Sequence, residues 1–302
     1  MFIARASAMA IATLIFASAA SAQVQRTFVA SFGNDANTND NCSFINPCRS
    51  FTTALSKTIA GGEIVALDAA GYGAVTINQS VSISGNPGFY AGIAANTGTA
   101  VTITAGDVLL RGLNINSVGA AKGIDMTGGS SLTIDNCVIT NFPTAGVNVD
   151  GAFKVRVTDS TFRGSQNGIV VQNGATLLVA RSKFTGHNTF GVWVQGFPDG
   201  TTTVATVTDS ISSGNVAAGF AVSAGGTAIG RLAVSRSTAS DNDSSGIITS
   251  GPNAQAFVSY SVITQNVIGL NNSSGLLESQ GNNTVRQNGT NTAGVITTIS
   301  GT

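Results

Sequence analysis

Apolar and polar residues alternate through most of the chain, and the alternation restarts at a glycine. Gly123 opens GIDM, Gly146 GVNV, Gly168 GIVV, Gly191 GVWV, Gly219 GFAV, Gly246 GIIT and Gly269 GLNN, at intervals of 23, 22, 23, 28, 27 and 23 residues. Alternation with a period of two marks a strand with one buried face. It puts Ile124, Val147, Ile169, Val192, Phe220, Ile247 and Leu270 in one inward column, and Met126, Val149, Val171, Val194 and Val222 in the next. A second strand follows in each unit, read in LTIDNCVI, VRVTDSTF, LLVARSKF, LAVSRSTA and FVSYSVIT. A Cys or Ser recurs with the same period, at Cys137, Ser160, Ser182, Ser210, Ser237 and Ser261. Two registers share one period, so the chain is an array of structural repeats.

A unit of about 22 residues with two or three short strands and no helix is one coil of a parallel β-helix, and the leucine pattern of the similar-sized leucine-rich repeat is absent. Stacking brings equivalent strands about 4.8 Å apart and turns each inward column into a continuous ladder. Asn188, Asn215, Asn242 and Asn266 lie three or four residues before a glycine, where the coil must turn. Both Asn and Gly tolerate the left-handed backbone conformation, so these residues are expected to form the turns. The tract PCRSFTTALSKTIAGG reads as a short amphipathic helix, with Phe51, Leu55 and Ile59 on one face, Pro47 near its start and Gly61 at its end. A solenoid needs its open end covered. Residues 23–62 are therefore expected to form an N-terminal cap and 63–302 the all-β solenoid, with the polar tail after Asn288 a last coil or an irregular cap.

Composition agrees with this picture and narrows the partners. Hydrophobic residues make up 42% and charged residues 9%, with 37 glycines, which fits short strands and many turns better than helices or disorder. The formal charge is zero and no basic block occurs, which argues against nucleic acid as a partner. Residues 1–22 place Arg5 before AMAIATLIFASAA and end in Ala20, Ser21 and Ala22, the pattern of a signal peptide. No later stretch is long enough to span a bilayer, so a secreted or periplasmic monomer is expected. Export permits a disulfide, and Cys42 and Cys48 in NCSFINPC are close enough to close a small loop. Cys137 is expected to be a buried small hydrophobe.

With repeat and cap in hand, the chain resembles secreted proteins of the right-handed parallel β-helix, or pectate-lyase-like, superfamily. The resemblance rests on the glycine-opened coils, on closing phrases such as DNCVITN and DSTFRG, and on FVASFGNDANTND followed by NPCRSFTTAL, and it covers about residues 26–290. It implies a right-handed solenoid and a polysaccharide ligand along an outer strand face, with Ca²⁺ a cofactor only by family likeness. No catalytic set of the superfamily transfers. The polygalacturonase pattern lacks its Asp-Asp, has Asn188 after Gly186-His187, and has Arg181-Ser182-Lys183 on the wrong side of the histidine. The Ca²⁺-binding carboxylate cluster of pectate lyases and the Tyr, His and Asp of mannuronan epimerases have no counterpart, and no metal ligand set is evident.

Outward positions on the glycine-opened strand form one column of Asp125, Asn148, Val170, Trp193, Ala221, Ile248 and Asn271 and another of Thr127, Asp150, Gln172, Gln195, Ser223, Ser250 and Ser273. Asn148, Gln172, Trp193 and Gln195 are the expected polysaccharide contacts. Asp125 and Asp150, about 8 Å apart on adjacent coils by simple strand geometry, fall in the range of an inverting glycosidase pair and are the catalytic candidates. Two solvated aspartates are the structural alternative. His187, the only histidine, lacks a partner for catalysis or metal binding and is expected to be an exposed turn residue. A further column of Asn136, Asp159, Arg181, Asp209, Arg236 and Tyr260 reads as an ion-pair ladder. The chain is thus read as a β-helix that binds an extracellular polysaccharide, with cleavage open. The alternative is a non-catalytic surface or adhesion-type solenoid; ice binding is disfavoured because Thr127, Thr201, Thr203, Thr206 and Thr208 share no column.

Overall fold

The computed structural model describes residues 23–37, 40–86 and 88–300; the expected signal peptide, 1–22, lies outside them. The described residues form a parallel β-solenoid of three sheets, one of twelve strands and two of ten, in which strands of successive coils are neighbours. One coil shows the plan. Asn167–Gln172 lies in the glycine-opened sheet, Thr176–Ala180 in the long twelve-stranded sheet and Lys183–Thr185 in the short-stranded sheet.

The inward columns stack in register, Ile124 on Val147 on Ile169 on Val192 on Phe220 on Ile247 on Leu270, and each is at most 1% exposed. Burying each such side chain contributes roughly 1.5–3 kcal/mol, so the stack of like residues is the main stabilising element. The long sheet supplies the opposing wall with Ile134, Val157, Val179, Val207, Val234 and Val258, again in register.

Between Asn136 and Gln265 each coil turns twice at a left-handed residue followed by a buried one, polar in all but Cys137 and Phe142. Between the long and short-stranded sheets, Asn136, Asp159, Arg181, Asp209, Arg236 and Tyr260 have φ of 46° to 51°. Behind them, the amide of Ser160 donates to Ser182 Oγ at 3.2 Å, Ser182 to Ser210 at 3.1 Å, Ser210 to Ser237 at 3.1 Å and Ser237 to Ser261 at 3.2 Å. Each of these hydroxyls also donates to the carbonyl two residues before it, as Ser182 does to Ala180 at 2.9 Å. The expected ion-pair column is present on the outside of this turn, with two-pronged contacts from Arg181 to Asp159 and from Arg236 to Asp209. The guanidinium hydrogen bonds hold both aspartates below the usual carboxylate range. Fully solvated pairs of this kind contribute little to stability.

At the second turn the left-handed residues are Asn141, Gly164, Gly186, Gly214, Asp241, Gln265 and Gln287. The residues after them point inward. His187 N donates to Asn215 Oδ1 at 3.0 Å, Asn215 N to Asn242 Oδ1 at 3.1 Å and Asn242 N to Asn266 Oδ1 at 3.1 Å. The expectation that these asparagines adopt the left-handed conformation is therefore corrected by one residue: they are buried hydrogen-bonding rungs, and their predecessors make the turn. Asn188 is no rung; it is exposed, and His187 takes the rung position.

The repeat glycines are explained by space rather than by φ, which is negative at all seven. A side-chain carbon at Gly168 would press on the carbonyl oxygen of Gly191 and come within 2.9 Å of His187 Nε2 and of the Phe184 ring. At Gly219, Gly246 and Gly269 the ladder amides of Asn242, Asn266 and Asn288 fill the same space.

At the N-terminal end the helix is shorter than its apolar spacing suggests. It spans Phe51–Lys57, with Ser50 as N-cap, and buries Phe51, Ala54 and Leu55. The β-branched Thr58 and Ile59 instead begin the strand Thr58–Ala66, beside which Val24–Val29 adds the outermost strand of the long sheet. Asp35 fixes the helix start by accepting from the amides of Arg49 at 2.8 Å and Ser50 at 2.9 Å. Cys42 and Cys48 form the expected disulfide, and Cys137 is buried. The tail continues the coil, with Thr290–Ala293 and Ile296–Ile299 joining the glycine-opened and long sheets.

Candidate functional site

The outward columns of the glycine-opened sheet pair as the alternation requires: Asp125 with Asn148, Asn148 with Val170, Val170 with Trp193 and Trp193 with Ala221. Asp150 pairs with Gln172, and Gln195 with Ser223. Parallel pairing at one strand spacing fixes this order, so all six candidate residues share one face.

They fall into two groups along it. In the first, Asp125 is held on both sides: Lys122 Nζ lies 2.9 Å from Oδ2, and Asn148 Nδ2 donates to Oδ1 at 2.7 Å. Its side chain is 15% exposed. Asp150, two residues further along the next coil, is exposed, with only a long contact of 3.5 Å from Asn173 Nδ2. Asn148 is thus spent on Asp125, and Gln172 is half-buried beside Asp150. Both oxygens of Asp125 thus accept hydrogen bonds. Among the described residues no three His, Cys, Asp or Glu side chains gather around a common point.

The second group centres on Trp193. Its Nε1 donates to Ser223 Oγ at 3.0 Å, one coil on and two residues further along the strand, so the indole leans across Ala221. Phe190 packs against it with ring centroids 4.9 Å apart and planes tilted by 48°. Val170 and Ala221, which flank Trp193 on the neighbouring coils, are only 7% and 3% exposed although they point outward. Trp193 itself is half-buried.

Beyond Ser223 an open groove of about 420 Å³ is lined by Gln195, Phe197, Ser223, Ser250 and adjoining glycines. Its rim is raised by the segment after Gly196. There Asp199 Oδ1 accepts from the Thr227 amide at 2.9 Å, and Gly200 N donates to Thr227 Oγ1 at 3.1 Å, lacing the loops of two coils together. Phe197 stands on this rim, 65% exposed. The two coils are the long ones of the repeat, and their strands Phe190–Gly196, Thr202–Thr208, Ala218–Ala224 and Ile229–Ser235 have seven residues each. Gln195, Ser223 and Ser250 come to the groove from one outward column of the alternation, whereas Phe197 is supplied by the segment after Gly196 and does not follow from parity. The signal was present in the 28- and 27-residue intervals, which break the period at this place.

His187 is not the exposed turn residue expected from its polarity. It is fully buried, with Nδ1 3.3 Å from both the amide and the carbonyl of Ser165, and Nε2 has no hydrogen-bond partner among the described residues. Burial pushes its pKa down to about 4, against the hydrogen bonding at Ser165 and Phe162, so the ring is neutral near pH 7. Walled off from the outer face, it takes no part in the site.

The same architecture occurs in solved structures. A pectate lyase, Pel9A, superimposes with a TM-score of 0.63 at 14% identity, over 85% of this chain and 79% of its own. An alginate lyase from Paenibacillus sp. str. FPU-7 does so with a TM-score of 0.57 at 14% identity, over 91% and 100%. Among curated proteins none matches the chain by sequence. The family model for the right-handed β-helix region matches residues 91–259, which are the central coils of the solenoid. Stacked parallel coils, three sheets in register and this match together establish that the chain belongs to the right-handed β-helix family.

Proposed function

We propose that the protein binds an extracellular polysaccharide along the outer face of the glycine-opened sheet. The observation that carries this reading is the half-buried indole of Trp193, packed on Phe190 and hydrogen-bonded to Ser223, which in turn lines a groove with Gln195 and Ser250. An indole face suits the apolar face of a sugar ring, while amide and hydroxyl groups suit its hydroxyls. A bracing hydrogen bond reduces the ordering cost of binding. The two solved relatives are a pectate lyase and an alginate lyase by name, which makes polysaccharide the ligand class to test first. Work outside the cytoplasm fits the Cys42–Cys48 bond, since disulfides persist in oxidising compartments.

Cleavage is the narrower form of the same reading, with Asp125 and Asp150 as acid and base. What favours it is their placement on one face of adjacent coils. What weighs against it is that Asp125 is engaged on both sides, by Lys122 and by Asn148, and points at neither Asp150 nor the groove. Binding without turnover is therefore the main proposal. Incubation with a polysaccharide panel, with and without Ca²⁺, tests both forms: retardation in an affinity gel reports binding, and reducing ends or ultraviolet-absorbing unsaturated products report cleavage. Binding that Trp193→Ala leaves unchanged would move the site elsewhere. No binding to any polymer would favour the scaffold role.

A further inference from the structure

The charges of the molecule are partitioned among its faces, and the partition bears on which polysaccharides the groove accepts. Of the lysines and arginines in the described strands, only Lys122 lies in the glycine-opened sheet, and it is consumed by Asp125. The other cations stand elsewhere. Lys154, Arg156 and Arg231 point outward from the long sheet, and Arg163 and Lys183 lie exposed in the short-stranded sheet. Arg181 and Arg236 occupy the turn between those two sheets and are paired with aspartates.

What remains unpaired by any cation on the candidate face is negative: Asp150 is exposed, and Asp199 holds the groove rim through the Thr227 amide. No charged side chain lines the groove: Gln195, Phe197, Ser223 and Ser250 stand there beside Ala224 and three glycines. A polyuronate carries a carboxylate on every sugar. Laid along this face, those carboxylates would lose water without gaining a cation or a bidentate guanidinium, and Asp150 would repel them. A neutral chain meets neither cost.

Resting on the binding reading above, we propose that the Trp193 groove is selective for neutral polysaccharides and rejects polyuronates. The discriminating experiment is affinity electrophoresis and calorimetry of the full chain with three neutral polymers, galactan, glucomannan and β-glucan, and two acidic ones, polygalacturonate and alginate, each with Ca²⁺ and with chelator. At least one neutral polymer is expected to bind and to lose tenfold or more in affinity in Trp193→Ala, while the acidic polymers bind at least tenfold more weakly in both cation conditions. Ser250→Lys, an exposed change that leaves the aromatic pair in place, is expected to raise polyuronate affinity tenfold. Polyuronate binding that Trp193→Ala abolishes would overturn the selectivity and leave the binding reading standing. Failure of every polymer to bind would instead overturn the binding reading. Circular dichroism of both variants separates loss of binding from loss of fold.

Discussion

The amide of Ser165 meets Nδ1 of His187 at 3.3 Å, in the same rung position where Asn215, Asn242 and Asn266 each offer an amide oxygen to the coil before. The imidazole imitates the acceptor half of an asparagine. It does not imitate the donor half: Asn242 and Asn266 donate through Nδ2 to carbonyls, whereas His187 Nε2 has no partner among the described residues.

His187→Asn is expected to restore the rung and stabilise the fold by about 1 kcal/mol, the usual worth of one satisfied buried hydrogen bond. The pH dependence carries a second signature. The folded pKa of about 4 lies below the ordinary 6.5, so the unfolded state binds the proton first. The native contribution is complete above pH 6.5 and is lost as pH falls toward 4, in total about 3 kcal/mol. Urea unfolding midpoints of the parent and of His187→Asn should diverge over that window, and parallel curves would remove histidine as the cause.

Two alanine substitutions separate space from backbone conformation. Gly168→Ala forces a methyl onto the Gly191 carbonyl and the His187 ring and is expected to cost about 1–3 kcal/mol by overpacking. Gly186→Ala meets nothing within 4 Å but sits at φ +63°, so only left-handed strain of about 1 kcal/mol is expected. Thermal unfolding of the two variants checks the order.

Trp193 is the only tryptophan of the chain, so its emission reports the surface beside the candidate groove, which it meets through Ser223. Ser223→Ala removes the acceptor of its Nε1 proton and is expected to raise acrylamide quenching several-fold, with glycan affinity falling about tenfold as the indole loses its brace. A bound neutral glycan should protect the same emission. Unchanged quenching in Ser223→Ala would show that Phe190 packing alone positions the ring.

Reduction of Cys42–Cys48 is expected to lower stability by about 2 kcal/mol, the loop-closure worth of a short cross-link. Cys137 gives an internal control. Burial pushes its thiol up to about 11, so alkylation of the native protein should leave all three cysteines unmodified until the chain is reduced or unfolded. Urea unfolding with and without reductant reads the stability change; mass spectrometry after alkylation of unreduced protein reads the protection, and labelling at Cys42 or Cys48 there would contradict the bond.

The strand columns were legible in the sequence residue by residue because burial of one face has a strict period of two and stacking repeats it at one coil spacing. Ile124 to Leu270 and Asp125 to Asn271 follow from counting alone. The turns were less legible. Asn188 and His187 are neighbours, and a polar preference for asparagine chose the wrong one. What selects the rung is the left-handed residue before it, and at Gly186 and Gly214 that residue is visible as a glycine. The groove was half legible: Trp193 and Gln195 follow from parity. The brace from Ser223 and the packing of Phe190 depend on side-chain reach between coils, which alternation does not encode.

Both rung series run one way. The turn amide of each coil donates to a side chain supplied by the coil that follows it, from Ser160 through Ser237 and from His187 through Asn266. A coil is consequently finished only by its successor. Growth of the stack has a direction, the same as that of chain synthesis, and from Cys137 on each of these turn amides stays unmet until the next coil closes over it.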